Sequence, residues 1–600
     1  MADETSFRQE CLSVMLRLCE ALAGLQVHGP AHAGAIRDPA CGVLHSRGAE
    51  AVLPFAVAFK ATGEQRWLSC ALAAGDWLVG QQEADGSWRE TPGIWQGTTT
   101  DQLLALCCAL QAIEQAGSPV RDRRKRWGEA ITRAADFIAG WVSEGTAHIN
   151  YCATASAALA AAFQVTGDER HAARARQLAR DIVTRKIDSA GFLFGEGHRF
   201  EGAVFGVDPG YNIDMSLWSL AFAARLLEDE EVENAAAASL RAHLPLVYPD
   251  GSLDNSWGVR SNKWTVYGSK TAHGCQAGFA LLASHDPAFR TAGRRNLRFL
   301  EGMMCEGLVG YGPQWWERAE SACIYPTFTR AANLALAVEY GQEGAEGPIP
   351  ADAPFTAHLD TVGCAVIRTS GLMATVAAST YKDPAGGPKS KYMARPSGGG
   401  VTHLWFDGYG LLQVASQTRY RRWEPIHFPE AADLLPLSPR IEQTAGGRLF
   451  SSLNEFDASL TVEPGPPPRT AACGVLRDER GRPGRCRYEW RHEFTGNGVT
   501  KEARLKTKWR PGIVRIVEPV IEWAGTAVQR KDERTVEIRS PRGAFLLRVE
   551  EGSVALSTGG PAGRYWWPMP ALQGHPITLS LEAGAFGGEQ VIRYRFERVA

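Results

Sequence analysis

The stretch EYGQEGAEGPIPADAP, residues 339–354, divides the chain into two parts with different hydrophobic periods. It is rich in glycine, proline and acidic residues, a composition typical of a linker between domains. Before it, apolar residues recur three and four positions apart; after it, they mostly alternate with polar residues. The chain is therefore predicted to contain an α domain over residues 1–345 and a β domain over residues 346–600.

The first part alternates amphipathic helical segments with glycine-rich loops. Clear helical examples are AVLPFAVAFKATG, ATASAALAAAFQVTG and MSLWSLAFAARLLED. Loops of similar composition follow the helix pairs at 81–88, 188–197, 248–257 and 306–316, and the later ones lie roughly 50–60 residues apart, the length of a helical hairpin with its connections. Repeated hairpins of this length form a closed toroid or an open solenoid. We favour an (α/α) toroid, in which the loops at one end converge on a cleft.

The second part consists of short segments with a period of two. GCAVIRTS, LMATVAAST, GIVRIVEPVIEW and VIRYRFERV are typical of strands, and turn signals separate them. Nothing in this part resembles a βαβ unit, so an antiparallel β-sandwich is predicted. The expected architecture is a multidomain α-then-β chain: a toroid followed by a sandwich.

The composition argues against several classes of function. The formal net charge is −2, which gives no general attraction to nucleic acid or to a membrane surface. The longest apolar runs, such as SLWSLAFAARLL, are much shorter than a bilayer span. The N-terminal sequence MADETSFRQE has neither a basic start nor an apolar core, so we expect a cytoplasmic protein, or a secreted or periplasmic one whose leader has been removed.

The cysteine pattern predicts free thiols and no metal. Thirteen cysteines are present, and several, such as Cys19, Cys70 and Cys107, lie in apolar helical segments, which favours buried thiols over a disulfide framework. No CxxC pair occurs with a matching His or Cys cluster, so no structural zinc and no other cofactor is expected.

Residues 248–275, YPDGSLDNSWGVRSNKWTVYGSKTAHGC, carry aromatic, amide and basic side chains without a clear helical or strand period. The turn DGSL at 250–253, followed by VYG at 266–268, is similar to a pattern of hyaluronate lyases. VDPGYNIDMSLW at 207–218 and PSGGGVTHLWFDGYG at 396–410 are similar to stretches of heparinase III-like enzymes and of the lyase sandwich. With the predicted architecture, these motifs resemble the toroid-type polysaccharide lyases, the group that contains hyaluronate and chondroitin AC lyases and heparinase II/III-like enzymes.

The chain departs from that pattern at two points: DNSWG follows the turn where the family has a histidine, and the tyrosine comes about two residues late. QQEADGSW at 81–88 also resembles the repeat of triterpene cyclases, which are α toroids too. Those enzymes need clustered aspartates, which are absent from this sequence, and they lack a large sandwich. We attribute that likeness to a shared glycine-dependent turn.

The lyase resemblance implies β-elimination on a uronate polymer. Such a reaction needs a group that neutralises the carboxylate at C5, a base for the C5 proton and an acid for the leaving oxygen. A tyrosine with its ordinary pKa near ~10 needs a nearby cation to act as the base. Tyr267 and His273 are the candidates for proton transfer, and Arg260 and Asn150 are the candidates for holding the carboxylate. Each also has a structural alternative, as a packed aromatic, a cap or a solvated charge.

The predicted partner is an acidic polysaccharide or oligosaccharide, without nucleic acid or membrane, and the sequence predicts no oligomeric state. Eighteen tryptophans are present, many in loops, where exposed indole faces stack on sugar rings. The candidate substrate-binding residues are Trp88, Trp95, Tyr211, Asn255, Trp257, Trp264, Trp315, Trp316, Arg318 and His403.

Two other functions remain open on the sequence alone. A glycoside hydrolase on the same scaffold would need two carboxylates flanking the bond. The candidate carboxylates are Asp101, Glu196, Asp208, Asp214 and Asp254. A non-catalytic glycan-binding protein is the third possibility.

Overall fold

The computed structural model describes residues 6–90, 93–143, 146–196, 205–260, 272–310, 315–318, 321–380, 393, 395–415, 436–507, 512–559, 565–566, 573–581 and 588–599. The helices are α1 (Phe7–Gly24), α2 (Val52–Thr62), α3 (Gln65–Gly80), α4 (Thr99–Gln115), α5 (Arg121–Trp141), α6 (Ile149–Thr166), α7 (Glu169–Arg185), α8 (Pro209–Tyr211), α9 (Leu217–Leu227), α10 (Glu230–Ala242), α11 (Gln276–Leu281), α12 (Pro287–Glu301) and α13 (Ile324–Tyr340). Short 3-10 turns at Ser46–Ala51 and Trp315–Arg318 and a π-helical turn at Asn212–Ser216 complete the helical part.

The helical part is a closed ring. Inner helices α2, α4, α6, α9, α11 and α13 each pack against the next, and α13 returns to α2. Outer helices lie against this ring: α1 on α13, α3 on α2, α5 and α7 on α6, α10 on α9, and α12 on α11. Small residues such as Ala153, Ala157 and Ala160 are fully buried in α6 and allow close helix approach. The ring confirms the predicted toroid.

The internal repeat is visible as a recurring turn between hairpins. In Asp85–Ser87 and again in Asp250–Ser252, the serine N–H and hydroxyl both donate to Oδ1 of the aspartate. Gly86 and Gly251 have φ of +90° and +87°, and their Cα atoms lie against backbone carbonyls of the outer helices, where a Cβ would clash. Only glycine satisfies both demands.

Strands β1 (Met304–Cys305) and β2 (Leu308–Val309) form a hairpin within the helical part. The second part contains strands β3 (Phe355–Leu359), β4 (Cys364–Arg368), β5 (Leu372–Ala377), β6 (Gly400–Phe406), β7 (Gly410–Val414), β8 (Arg440–Ala445), β9 (Arg448–Ser451), β10 (Ser459–Glu463), β11 (Arg469–Arg477), β12 (Pro483–Phe494), β13 (Gly498–Thr507), β14 (Ile513–Ile521), β15 (Ala527–Arg530), β16 (Thr535–Ser540), β17 (Gly543–Glu551), β18 (Val554–Thr558), β19 (Tyr565–Trp566), β20 (Gln573–Leu581) and β21 (Gly588–Val599).

Two antiparallel sheets build the β part. One has the order β3-β4-β5-β6-β7, and the other runs β15-β16-β17-β21-β13-β12-β11-β9-β8-β14-β20-β18, with β10 on β11 and β19 on β20. Strand β12 alternates buried and accessible residues along its length, as expected for a sheet with one face in a core. Strands β5 and β6 are buried at every position. These findings confirm antiparallel sheets after the helical part.

Strands β5 and β6 are buried on both faces because a toroid loop covers them. The Tyr248 hydroxyl lies 2.9 Å from Oγ1 of Thr375 in β5, and the Trp405 indole in β6 donates to Oδ2 of Asp250 at 3.1 Å. The loop that begins at Tyr248 therefore lies between the ring and the first sheet. No described helix combines the length and the apolar character needed to cross a bilayer.

Candidate active site

The inner helices all begin at one end of the toroid, because each is preceded by an antiparallel outer helix and a connecting loop. At this end the π-helical turn Asn212–Ser216 interrupts the ring just before α9. Turns of this kind are rare and are frequently found at functional sites. Here the turn directs Asp214 toward α13, where its Oδ1 accepts hydrogen bonds from Arg330 Nη1 at 2.7 Å and Asn333 Nδ2 at 2.6 Å.

A cavity of about 50 Å³, room for a few water molecules, lies inside the ring next to the π-helical turn. Arg47 lines it and bridges two carboxylates: its Nε lies 2.6 Å from Glu50 and its Nη2 lies 2.8 Å from Asp101. Although burial opposes its charge, these carboxylates raise the pKa of Arg47 well above the ordinary value. The polar lining residues are Arg47, Glu50, Asp101, Asp214, Thr329 and Asn333.

Asn150, at the start of α6, has hydrogen-bonding capacity that the described residues do not use. Its side chain is buried, with 1 % exposed. Its Nδ2 lies 3.9 Å from Sδ of Met215, a residue that lines the cavity, and its Oδ1 has no hydrogen-bond partner among the described residues. A buried amide with this little compensation calls for an explanation, and a role in binding substrate is one.

A second polar cluster joins the loop after residue 253 to the segment before the π-helical turn. Arg260 Nε donates to Glu196 at 2.6 Å, and the Arg260 backbone N–H donates to Asp208 at 2.8 Å. Asp208 also accepts the Tyr211 N–H at 3.0 Å and Asn255 Nδ2 at 3.2 Å. Burial, with the Glu196 charge nearby, raises the pKa of Asp208 to about 6, against the lowering effect of the backbone N–H groups and Arg260.

This cluster contains three of the residues predicted from the sequence: Asn255, Tyr211 and Arg260. Asn255 is fully buried and is used to hold Asp208, so it does not present its amide to a polymer. Tyr211 is 5 % exposed and its ring lies under the Arg260 guanidinium, 5.5 Å from ring centroid to Cζ, so a sugar cannot stack on that ring. Arg260, the predicted partner of the substrate carboxylate, is paired with Glu196 in this structure.

His273 is buried close to Arg330. The ring is 1 % exposed and its centroid is 6.5 Å from that of Phe299, on outer helix α12. Burial and the neighbouring Arg330 guanidinium hold the pKa of His273 well below the ordinary value, so the ring is neutral at physiological pH. His273 and Asn150 are equally buried, each 1 % exposed, and the role of His273 in proton transfer stays a prediction.

Three of the predicted tryptophan platforms belong to the core. Trp88 is fully buried and its Nε1 donates to Leu78 O at 2.8 Å, because the residue after each repeated turn points inward. Trp257 is fully buried, with its ring edge-on to Phe192. Trp315 is 6 % exposed and donates to Met303 O at 3.0 Å. These indoles have no face available to a sugar.

His403 is also buried. Its ring is fully enclosed between the toroid and the sandwich, stacked on Tyr248, and its contact with substrate stays a prediction. Trp95 is 38 % exposed, and Trp316 is half-buried beside Trp315. The structure is compatible with both as substrate contacts. Trp264, Tyr267 and the side chain of Arg318 lie outside the described residues.

Arg330 and Asn333 were not predicted. Both lie on α13 within TFTRAANLALAV, where a polar pair interrupts an apolar helical segment. A buried arginine is rare unless it is paired, so an arginine in the apolar face of an inner helix was the available signal. It was missed because helical periodicity alone does not show which face lines the ring interior.

A closed helical ring followed by antiparallel sheets, with a polar site where the ring loops meet the first sheet, is the architecture of the toroid-type polysaccharide lyases. Heparinase III has this fold, with a TM-score of 0.56 at 12 % identity over 91 % of this chain and 76 % of that chain. So has the Streptomyces coelicolor A3 chondroitin AC lyase in complex with chondroitin sulphate, with a TM-score of 0.53 at 14 % identity over 100 % of this chain and 80 % of that chain.

The chain belongs to the ulvan lyase family. Residues 15–352 match the ulvan lyase N-terminal domain and residues 357–595 match the ulvan lyase C-terminal domain. A broad-specificity ulvan lyase of Formosa agariphila is 27 % identical over 476 residues, which are 76 % of this chain and 73 % of the relative. The protein is therefore a polysaccharide lyase, as the sequence predicted, and the glycoside hydrolase alternative is not favoured.

Proposed function

We propose that this enzyme cleaves an ulvan-type, uronate-containing polysaccharide by β-elimination at the loop end of the toroid. The family and the named relative support the substrate class. The polar side chains at the loop end of the toroid support this location for the reaction. Elimination requires that the uronate carboxylate be neutralised before the C5 proton becomes acidic enough to remove, so the site must supply donors that are not already committed to protein carboxylates.

Asn150 carries this proposal. Three arginines at this end of the ring are each paired with a carboxylate: Arg47 with Glu50, Arg260 with Glu196 and Arg330 with Asp214. Asn150, by contrast, has only a long contact from Nδ2 to a thioether sulfur among the described residues. Its amide is therefore our candidate for the hydrogen bond to the uronate carboxylate, and the paired arginines hold the surrounding backbone in place.

Tyr267 is our candidate for proton transfer. It belongs to residues 261–271, which lie outside the described residues and directly follow Arg260. A positive charge near a phenol favours its ionised form, and Arg260 is the cation at the start of this segment. We assign to Tyr267 both the removal of the C5 proton and the return of a proton to the leaving oxygen.

The test is the near-ultraviolet absorbance of the unsaturated product, measured with ulvan, chondroitin sulphate, heparan sulphate and alginate. We expect wild-type enzyme to give the product with ulvan. Asn150→Ala is expected to lower kcat/KM about 100- to 1000-fold, the usual effect of losing one donor to a developing oxyanion. Tyr267→Phe is expected to abolish turnover, because it removes the hydroxyl to which we assign both proton transfers.

Matched controls separate these roles from general damage. Tyr340→Phe removes a hydroxyl at the far end of α13, opposite the loop end, and Asn497→Ala removes an amide in the exposed turn between β12 and β13. Both are expected to keep wild-type kcat/KM. Turnover of ulvan without the absorbance change, or full activity in both Asn150→Ala and Tyr267→Phe, would refute the proposal.

A further inference from the structure

The loop between α1 and the 3-10 turn Ser46–Ala51 gathers three potential metal ligands. Asp38, Cys41 and His45 each direct one ligand atom to a common point, and these atoms all lie within 4.8 Å of one another. Nε2 of His45 is 3.3 Å from Oδ2 of Asp38 and 3.6 Å from Sγ of Cys41. This group, the Asp38 triad, lies outside the site described above.

These distances match the edges of a zinc coordination tetrahedron. Zinc lies about 2.3 Å from a cysteine sulfur and about 2.0–2.2 Å from imidazole nitrogen and carboxylate oxygen. At tetrahedral angles those bond lengths separate nitrogen from oxygen by about 3.3–3.4 Å and nitrogen from sulfur by about 3.5–3.6 Å.

The local backbone holds the ligands in this geometry. The Asp38 N–H donates to Val43 O at 3.0 Å and the Gly42 N–H donates to Asp38 O at 2.8 Å, which closes a tight turn around Cys41. The Ala40 N–H donates to Oδ1 of Asp38 at 2.9 Å, so Oδ2 is left to face the other two ligands. Fixing one carboxylate oxygen in this way is a common means of orienting the other toward a metal.

The charge and burial of the triad suit a cation. Asp38 and His45 are 2 % and 5 % exposed, while Cys41 is half-buried, which gives an ion an entry route and a fourth coordination position. Carboxylate oxygen, imidazole nitrogen and cysteine sulfur are the atoms that bind zinc in proteins.

We propose that Oδ2 of Asp38, Sγ of Cys41 and Nε2 of His45 bind one Zn²⁺ ion, with water in the fourth position. A thiolate and an imidazole select a borderline-soft cation and disfavour Mg²⁺ and Ca²⁺, which take oxygen ligands. Coordination forms the sulfur–metal bond and releases the thiol proton to solvent.

The ion has a structural role. The His45 ring contacts Tyr325 of α13 edge-on at 5.0 Å, and Arg47, two residues later, lines the central cavity. Zinc at the Asp38 triad therefore fixes the loop that places Arg47. This inference is independent of the substrate and of the proton-transfer residues proposed above.

Cobalt provides the direct test. Full-length protein without an affinity tag is stripped with a chelator, dialysed and titrated with Co²⁺. We expect one equivalent to bind, with the near-ultraviolet thiolate-to-cobalt charge-transfer band and the visible bands of a tetrahedral site. Zn²⁺ is expected to displace the cobalt, to raise Tm, since it binds the folded state, and to protect Cys41 from iodoacetamide in a peptide map.

Cys41→Ser is expected to lose the charge-transfer band, while the matched control Cys305→Ser, at another half-buried cysteine, keeps it. Should Cys41→Ser fail to fold, the wild-type cobalt spectrum and the alkylation map still decide whether the Asp38 triad binds the metal. A wild-type protein with no thiolate-to-cobalt band at saturating Co²⁺, or with Cys41 equally alkylated with and without Zn²⁺, overturns the proposal. So does a band that persists in folded Cys41→Ser.

Discussion

The ring of Tyr248, in the toroid, stacks on the ring of His403, in the sandwich, with centroids 3.8 Å apart and planes 7° from parallel. Nδ1 of His403 lies 3.3 Å from Oδ1 of Asp254, and all three side chains are fully buried. Aromatic stacking adds to the gain from burial. This contact fixes the loop that enters the active-site region against β6, so the sandwich positions the site instead of only covering the toroid.

Asp254→Asn should weaken this interface in a pH-dependent way. Although burial opposes its charge, the hydrogen bond and charge of His403 keep the pKa of Asp254 below the ordinary value. A depressed carboxyl pKa stabilises the fold above the unfolded pKa of about 3.9, and this contribution is lost as pH falls through the folded pKa. We expect Asp254→Asn to cost about 1–3 kcal/mol at pH 7, measured by thermal unfolding, and much less at pH 3.

Asp181→Asn is the control for that series, because the Asp181 carboxylate is exposed and paired only with Arg185 in the same helix. It should change stability by less than about 1 kcal/mol at either pH. A cost for Asp254→Asn that is the same at pH 3 and pH 7 would show that its charge is not what stabilises the interface.

Trp95 and Trp88 should give opposite results when each is replaced by alanine. Trp95 is 38 % exposed and packs edge-on against Trp141, so its loss should raise KM about 3- to 10-fold, as expected for a lost ring contact, with little change in Tm. Trp88 is fully buried, and Trp88→Ala should lower the free energy of unfolding by about 3–5 kcal/mol. Steady-state kinetics and denaturant titration of both variants distinguish a platform from a core residue.

The two classes of structure were predictable because the spacing of apolar residues along the chain is a local property. Helical spacing up to Tyr340 and period-two segments from Phe355 identify the two classes of structure, and the repeated turns at Gly86 and Gly251 need glycine for a local steric reason. Closure of the ring depends on the packing of α13 against α2. That contact joins segments far apart in sequence, and the sequence left a closed ring and an open solenoid both possible.

The site was predictable only as a region. The sequence identifies the loop at 248–260 but not the direction of its side chains. Trp88 and Leu253 each follow one copy of the repeated turn, and both are fully buried in the core. The composition of the loops does not reveal this direction. Arg330 and Asp214 lie 116 positions apart and meet only through the ring. The Asp38 triad has a spacing outside the CxxC patterns on which the prediction of no metal was based.

Asp208 should make the protein less stable as pH rises from 4 to 7. Burial and Glu196 raise its pKa to about 6, above the unfolded value of about 3.9. The folded state then binds more protons in this interval, so the stabilising contribution is full below the unfolded pKa and lost as pH rises through the folded pKa. Asp208→Asn should flatten this slope, which is worth up to about 3 kcal/mol, in urea titrations at pH 4, 5, 6 and 7.

If the slope between pH 4 and pH 7 is unchanged in Asp208→Asn, another group titrates in that range. Asp181→Asn, with an exposed carboxylate, should leave the slope as it is in the wild type.

Lys501→Met should destabilise the sandwich more than the loss of a lysine at the surface would. Nζ of Lys501 donates to Glu518 at 2.7 Å, and both side chains are fully buried between the sheets. Removing the lysine leaves a buried carboxylate with only neutral donors, Gln413 at 2.7 Å and Tyr594 at 2.6 Å, so calorimetry should show a loss of about 3–5 kcal/mol. Lys501→Met combined with Glu518→Gln should recover part of that loss, because the uncompensated charge is gone.

Lys531→Met, at an exposed pair, should cost less than about 1 kcal/mol. An equal cost at both lysines would mean that burial of the charge is not the cause.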